Sequence, residues 1–451
     1  MIRIDVLPDD VLLETFDFCV DPLSERKKDI EAWQSLVHVC RRWRSLVFGS
    51  PRRLNLRLSC TPKTPARNTL DVWPALPLLI GGDMSSSGAD DIIVVLEQSN
   101  RVCQVNLWGL ADRELEKVLG AMQVPFPELT KLQLFSGGET PPVVPDSFLG
   151  GSAPRLQYLE LCGIPFPGLP KLLLSATHLL HLDISNISHS GYFSPEAMAT
   201  LLSGLSSLKS LVLQFLSCPD WESRRPPPSE RSVIPALEHF DFIGDIEYLE
   251  DLVTFIDAPR LVDFSVTFFD QTDFDANFDG PRLAQFIGRT PILADCGVHL
   301  IFYTTSALVL LRSLRKESES AITISYGEPD RLLSSIAQVC NTCLPPLSMI
   351  EDLYIHHPNL QRDWTNGAIG NTLWLELLLL FPVVKNLYLY RAPDIAAVLQ
   401  ETVGTEVLPS LQNIFVEGLK PSGPIRENIG QFVAAREPSG HSITISDWDG
   451  Q

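Results

Sequence analysis
The chain has 451 residues, 45% of them hydrophobic, which is ample material for a large buried core. A net charge of −20 argues against extensive nucleic-acid binding, which depends on neutralising phosphates, and against docking on anionic membranes. No apolar run approaches the ~20 residues of a membrane span, and the nine cysteines fall at irregular spacings that suit reduced thiols in the cytoplasm and/or nucleus.

The first predicted elements are two short helices. Leu7-Pro8 reads as an extended pair, because proline biases the preceding residue away from helix. Pro8 suits a first helical turn, and Asp9 and Asp10 favour the positive end of the helix dipole. Val11, Leu12, Leu13 and Phe16 then make an apolar stripe at helical spacing. After the charged stretch at 20–31, Trp33, Leu36, Val37, Cys40, Trp43 and Val47 recur at steps of three and four, and Gly49-Ser50-Pro51 ends the run.

This segment, residues 1–50, resembles the F-box. The matching residues are Leu7, Pro8, Asp10, Val11, Leu12 and Phe16 in the first half and Val39, Cys40, Arg41, Trp43, Leu46 and Val47 in the second. The stretch at 20–31 is longer and more charged than the family's usual turn. The resemblance implies docking on the SKP subunit of a cullin-based ubiquitin ligase through Leu7, Pro8, Val11, Leu12, Phe16, Val39, Cys40 and Trp43. On periodicity alone, the same helices read rather as a hairpin that caps the core of the domain that follows; the residue types at both ends turn the reading to the F-box.

Residues 51–92 are rich in Pro, Gly and Ser and read as a linker. Within it the alternating Arg53-Leu54-Asn55-Leu56-Arg57-Leu58 predicts a short strand, and Gly81 to Gly88 predicts a flexible loop.

From 93 to 451 one pattern recurs: an apolar-x-x-apolar-x-apolar strand followed by a loop or helix. It appears at Val102/Val105/Leu107, Leu129/Leu132/Leu134, Leu156/Leu159/Leu161, Leu179/Leu182/Ile184, Leu208/Leu211/Leu213, Leu237/Phe240/Phe242 and Leu261/Phe264/Val266. It resumes at Ile350/Leu353/Ile355, Val384/Leu387/Leu389 and Leu411/Ile414/Val416, with weaker strands at 321–326 and 442–446. Helices are predicted at 112–122, 194–205, 246–257, 330–343, 371–381, 393–402 and 425–436. A Pro-x-Leu step repeatedly precedes the strand, as in Pro154-Arg155-Leu156, where the proline cannot disturb the hydrogen-bond ladder. One such strand cannot bury its apolar side alone, so stacked units make a parallel sheet with one continuous core.

This region resembles an irregular leucine-rich repeat domain, and the expected fold is an α+β or α/β solenoid, a horseshoe of short parallel strands and helices. Gly137, Ile164 and Ile187 stand where regular repeats carry an Asn or Cys that bonds loop backbone, so an irregular solenoid is expected, least regular at 268–320. An ordinary α/β domain of βαβ units shares most of the pattern.

Signs of chemistry are few. Cys340-Asn341-Thr342-Cys343 is a lone CxxC, and the adjacent His356 and His357 point to opposite sides of a strand. Asp270, Asp273, Asp275 and Asp279 crowd a segment with Phe268, Phe269, Phe274 and Phe278, without the spacing of a calcium loop. No phosphate-binding glycine loop or nucleophile elbow occurs. The expectation is a non-catalytic adaptor without cofactor or metal, whose repeats present a concave strand surface to a substrate protein. Tyr158, Tyr388 and Tyr390, lying between strand core residues, are the expected contacts. The alternative is a repeat scaffold with a helical N-terminal cap and no ligase role.

Overall fold
The computed structural model describes residues 7–19, 32–63, 66–86, 88–216, 231–268, 281–290, 296–303, 306–313, 319–325, 329–342, 344, 347, 349–356, 368–401, 407–419, 423–437 and 442–448. They belong to two compact units, Met1–Phe193 and Ser194–Gln451. Neither 50 nor 92 is a boundary between them. Among the described residues no helix is long and apolar enough to cross a membrane.

The first unit opens with three short helices: α1 (Asp9–Asp17), α2 (Trp33–Val37) and α3 (Arg41–Gly49). The chain then alternates strand and helix through β1 (Leu58–Cys60), α4 (Ala66–Val72), β2 (Leu78–Asp83), α5 (Asp90–Leu96), β3 (Val102–Leu110) and α6 (Asp112–Ala121). It continues with β4 (Lys131–Ser136), β5 (Tyr158–Cys162), α7 (Leu169–Leu173) and β6 (His181–Ile187). β1 to β6 pair side by side, all parallel, in sequence order.

Register follows the apolar pattern. Val105, Leu132, Leu159 and Leu182 stand directly opposite one another, as do Leu107, Leu134, Leu161 and Ile184. All eight are buried. A slip of one residue would turn each of these rows to solvent, which is why the register is well specified.

Two expectations for 51–92 need correction. The strand forms at Leu58–Cys60 rather than 53–58. Leu54 and Leu56 are buried in a turn in which Asn55 takes φ +46° and the Leu56 amide bonds back to the Pro51 carbonyl. The Gly81-Gly82 pair, read as loop, lies in β2 and joins the sheet. Gly82 has φ +150°, and a Cβ there would stand 2.6 Å from Pro62 Cδ. Gly82, which looks like part of a linker, is therefore what lets this backbone pass close to its neighbour.

The second unit begins with α8 (Pro195–Gly204), which is capped as its sequence predicts: the Ser194 side chain accepts a bond from the Ala197 amide. There follow β7 (Ser210–Phe215), β8 (Ser232–Val233), β9 (His239–Gly244), α9 (Ile246–Phe255), β10 (Ile256–Asp257), β11 (Asp263–Phe268) and α10 (Pro281–Gly288). Next come β12 (Cys296–Phe302), β13 (Ser306–Ser313), β14 (Glu319–Ser325), α11 (Pro329–Thr342), β15 (Asp352–His356) and α12 (Ala368–Leu379). The unit closes with β16 (Asn386–Tyr390), α13 (Pro393–Glu401), β17 (Asn413–Glu417), α14 (Pro424–Arg436) and β18 (Thr444–Trp448). Its main sheet runs β7-β9-β11-β14-β13-β12-β15-β16-β17-β18, while β8 and β10 form a separate parallel pair.

The all-parallel expectation fails at β12 to β14. β13 runs antiparallel to both of its neighbours. The connections at 303–305 and 314–318 are far shorter than the dozen or so residues a parallel crossover requires, so the chain has to turn back. The Tyr303 amide bonds to the Ser306 carbonyl at 2.8 Å and closes the first turn. Because three strands are inserted, direction is restored: β14 is parallel to β11 and β12 is parallel to β15. β12 and β13 thus fall in the irregular stretch foreseen at 268–320, and β14, which completes a three-stranded meander, coincides with the weaker strand expected at 321–326.

α9 and α10 are joined by polar contacts. The buried Glu250 carboxylate accepts from the Leu283 amide at 2.7 Å and the Arg282 amide at 3.2 Å, satisfying first-turn donors of α10. Arg282 also pairs with Asp251 at 2.7 Å.

Candidate functional site: a helical docking segment and an aromatic strand face
The two halves of the N-terminal motif are distant in sequence but meet in space. The Arg42 guanidinium donates to Asp9 Oδ1 at 2.5 Å and to the Leu7 carbonyl at 2.6 Å. The Phe16 and Trp43 rings lie 4.7 Å apart. Pro8 is extended, with φ −59° and ψ 154°, and delivers Leu7 to that contact. Cys40 is also extended and caps α3, its sulfur accepting from the Trp43 amide. A short polarisable side chain at this position does the work of an N-cap serine.

Of the eight residues expected to dock, Pro8, Val11, Val39 and Cys40 are exposed, Val11 by 41% and Val39 by 57%. Leu7 and Trp43 are half-buried. Leu12 and Phe16 are buried inside the segment, so they hold the helices together rather than present themselves to a partner. Phe18, not singled out by the sequence, is 93% exposed directly after α1.

The same segment also packs on the rest of its unit. Trp33 donates its indole N–H to the Arg57 carbonyl at 3.0 Å, and its ring stands edge-on to Trp73 at 5.1 Å. Phe48 and His38 reach Trp73 as well. α2 and α3 therefore anchor the segment, while Pro8, Val11, Val39 and Cys40 remain at the surface.

Most strands, β5, β6, β7, β9, β11, β15, β16 and β17 among them, bury one row of side chains and leave the alternate row more exposed. In the first unit this outward face is mostly polar, with Trp108 and Phe135 also on it. Lys131 lies over the Tyr158 ring at 5.1 Å, and Tyr158 packs on His181 at 5.4 Å. Tyr158 donates its hydroxyl to Glu160 at 3.0 Å, and Gln133 donates to the same oxygen at 2.5 Å. Tyr158 is thus a member of a charged and polar row, apart from the other two tyrosines.

In the second unit the outward face is polar on β7, β9 and β11, where Gln214 donates to Asp241 and His239 Nδ1 lies 2.6 Å from Asp263 Oδ2, and aromatic on β12 and β15 to β18. His299, Tyr354, Tyr388 and Phe415 occupy matching positions on β12, β15, β16 and β17. Their rings stack nearly parallel, at 4.0, 4.2 and 4.6 Å between successive centroids. Gly297 makes room for this row, since a Cβ there would lie 3.2 Å from the Tyr354 ring. His356 and Tyr390 form a second row, 5.5 Å apart, and His299 Nδ1 lies 3.1 Å from His356 Nε2. Trp448 of β18 comes within 5.3 Å of Tyr388 and within 6.4 Å of Tyr390, its ring steeply inclined to both.

Burial sets the electrostatics of this face. It lowers the His299 pKa to about 4, helped by His356 and Arg312, and it also lowers that of His356. Burial and the neighbouring Asp352 carboxylate raise Tyr354 and Tyr388 above the usual phenol range. At neutral pH His299, His356, Tyr354 and Tyr388 are uncharged. Beside them runs a ladder of polar side chains: Asn386 donates to Asp352 at 2.8 Å, Asn413 donates to Asn386 at 2.8 Å, and Thr444 donates to Asn413. These residues bond strand to strand, in place of the loop-bonding Asn of regular repeats.

Tyr388 and Tyr390 thus fall within one cluster. Tyr354 and Phe415 were legible on the same grounds, since each sits between strand core residues. His299 was not, because its strand belongs to the meander, and Trp448 was not, because its ring reaches back across the sheet. Cys340 is buried in α11 with its thiol pushed up to about 12 by desolvation, while Cys343 and His357 lie outside the described residues. The acidic-aromatic segment at 270–279 also lies outside them. Among the described residues no three His, Cys, Asp or Glu side chains gather as metal ligands. No protein-family model matches this chain, and a search of curated proteins finds no significant match.

Proposed function
We propose that the chain is a substrate-recognition adaptor of an SCF-type, cullin-RING ubiquitin ligase, working in the cytoplasm and/or nucleus. Its N-terminal segment docks on the SKP subunit, and the outward strand faces bind a substrate protein. The observation that carries this reading is the joining of the two motif halves by Arg42, Asp9, Leu7, Phe16 and Trp43, with Pro8, Val11, Val39 and Cys40 left at the surface. Leu12 and Phe16 support the docking surface from within. The adaptor forms no bonds itself; it raises the concentration of substrate lysines near a recruited conjugating enzyme.

Co-expression with an SKP subunit tests the proposal. The wild-type chain is expected to co-purify with it, and the Leu7→Ala/Pro8→Ala double variant to lose most of that association. Absence of wild-type binding, or binding indifferent to the double substitution, contradicts the proposal. The packing of Trp33, His38 and Phe48 around Trp73 favours a second reading, in which α1 to α3 only cap the repeats of a scaffold protein. Under that reading no SKP association occurs, and deleting the helices lowers stability.

A further inference from the structure
β18 differs from the strands beside it. β15, β16 and β17 each bury two side chains completely, whereas β18 buries none: Thr444, Ser446 and Asp447 are exposed, and Ile445 and Trp448 are half-buried. Among the described residues its only strand partner is β17. Apart from the ladder, the hydrogen bonds of Thr444 to Asn413 and Gln412 and of Leu419 to Asp447, the buried Ile443 just before the strand and the half-buried Ile445, its attachment within the strand rests on one aromatic side chain. That side chain is Trp448, whose ring stands within 6.4 Å of Tyr354, His356, Tyr388 and Tyr390 at inclinations of 56–75°. Inclined, edge-to-face packing is the arrangement aromatic rings prefer. The outward aromatic face therefore already holds a ligand-like ring, presented by an extended segment with little else to retain it.

We propose that Trp448 is a self-docked stand-in: the aromatic face binds an extended partner segment that carries an aromatic side chain, and β18 occupies the position until such a segment displaces it. The partner would pair with β17 as an added strand, main-chain bonds supplying affinity and the aromatic pocket supplying selectivity. Segments of low local stability are the ones available for such exchange. The proposal rests on reading this face as the substrate surface and gives that substrate a chemical class.

The test uses the full chain and a fluorescein-labelled peptide with the sequence of residues 441–451. In anisotropy titrations the Trp448→Ala chain is expected to bind this peptide at least about tenfold more tightly than wild type, because its own competitor is gone. Adding Tyr388→Ala should abolish that binding, and a peptide in which alanine replaces the tryptophan should bind neither chain. Equal affinity of wild type and Trp448→Ala, or no binding by a folded Trp448→Ala chain, overturns the proposal. Should Trp448→Ala fail to fold, hydrogen exchange on wild type decides: β18 amides exchanging at least about tenfold faster than those of β17 support it, and equal protection overturns it. SKP binding by Trp448→Ala, measured in parallel, keeps the two questions apart. Lost peptide binding with intact SKP association removes only the self-docking idea, and the reverse result removes only the ligase role.

Discussion
At the scale of single residues, the chain places polar and titratable groups where their partners make them informative. His299 stays neutral to about pH 4, while an unfolded histidine takes up its proton near 6.5. Between those values the unfolded state binds more protons, so stability falls as pH drops from about 6.5 to 4 and this contribution is constant below that. The His299→Phe chain, which keeps a ring in the stack, should lose less Tm between pH 7 and pH 5 than wild type. Identical pH profiles would show that the imidazole is not held neutral. Asn386 both donates and accepts in the strand-to-strand ladder, so Asn386→Ala leaves Asp352 and Asn413 each short of a partner. The expected cost is about 1 kcal/mol, read as a shift in urea midpoint; an unchanged midpoint would mean water replaces the bonds at no cost. Arg42 is not singled out by the sequence. Its role depends on Asp9 and Leu7, which sit beside it only after folding, and no local pattern announces such a pairing.

At the scale of elements, periodicity carried far. The apolar triplets of the repeats map onto buried rows in register, and the helices expected at 112–122, 194–205 and 393–402 appear as Asp112–Ala121, Pro195–Gly204 and Pro393–Glu401. The rows make a clear prediction. Leu159 is fully buried between Leu132 and Leu182, so Leu159→Ala should cost about 2–5 kcal/mol. By contrast Val143→Ala, at a 49% exposed position, should have no measurable effect on chemical denaturation. Similar losses for the two would contradict the assigned register. Other elements were hidden for identifiable reasons. β1 and β2 were obscured because prolines and glycines usually signal loops, yet here Gly82 fits a close approach to Pro62. In the meander, β14 answers to the weaker strand expected at 321–326, but β12, β13 and the reversal were obscured because these strands share the apolar content of the repeats, and only the shortness of the connections at 303–305 and 314–318 distinguishes reversal from crossover. α10 depends on Glu250, a residue of another helix, for first-turn hydrogen bonds. Glu250→Ala is therefore expected to destabilise the second unit by about 1–2 kcal/mol, and native-state hydrogen exchange should show the loss at 281–288 first. Unchanged exchange there would contradict that role.

At the scale of the whole molecule, the account is that of a protein made of binding surfaces. The first unit combines a helical segment, anchored through Trp33 and Trp73, with a polar strand face. The second carries stacked aromatic rows with their ionisable rings held neutral. The candidate docking residues were singled out by their types and spacing, whereas their division into exposed and buried depends on how α1 meets α3. Of the expected substrate contacts, Tyr388 and Tyr390 lie together and Tyr158 lies in a different, charged setting, a distinction set by neighbouring strands rather than by the tyrosines' own sequence context. The central claim is that the exposed part of the N-terminal segment docks on an SKP subunit. The most direct test is the affinity of the purified chain for a purified SKP subunit, compared with that of the Val11→Asp/Val39→Asp variant. Both substituted positions are exposed, so folding should survive. The account predicts saturable wild-type binding and at least about a hundredfold loss in the variant, equivalent to about 2.8 kcal/mol; no wild-type binding, or equal binding by both proteins, would contradict it.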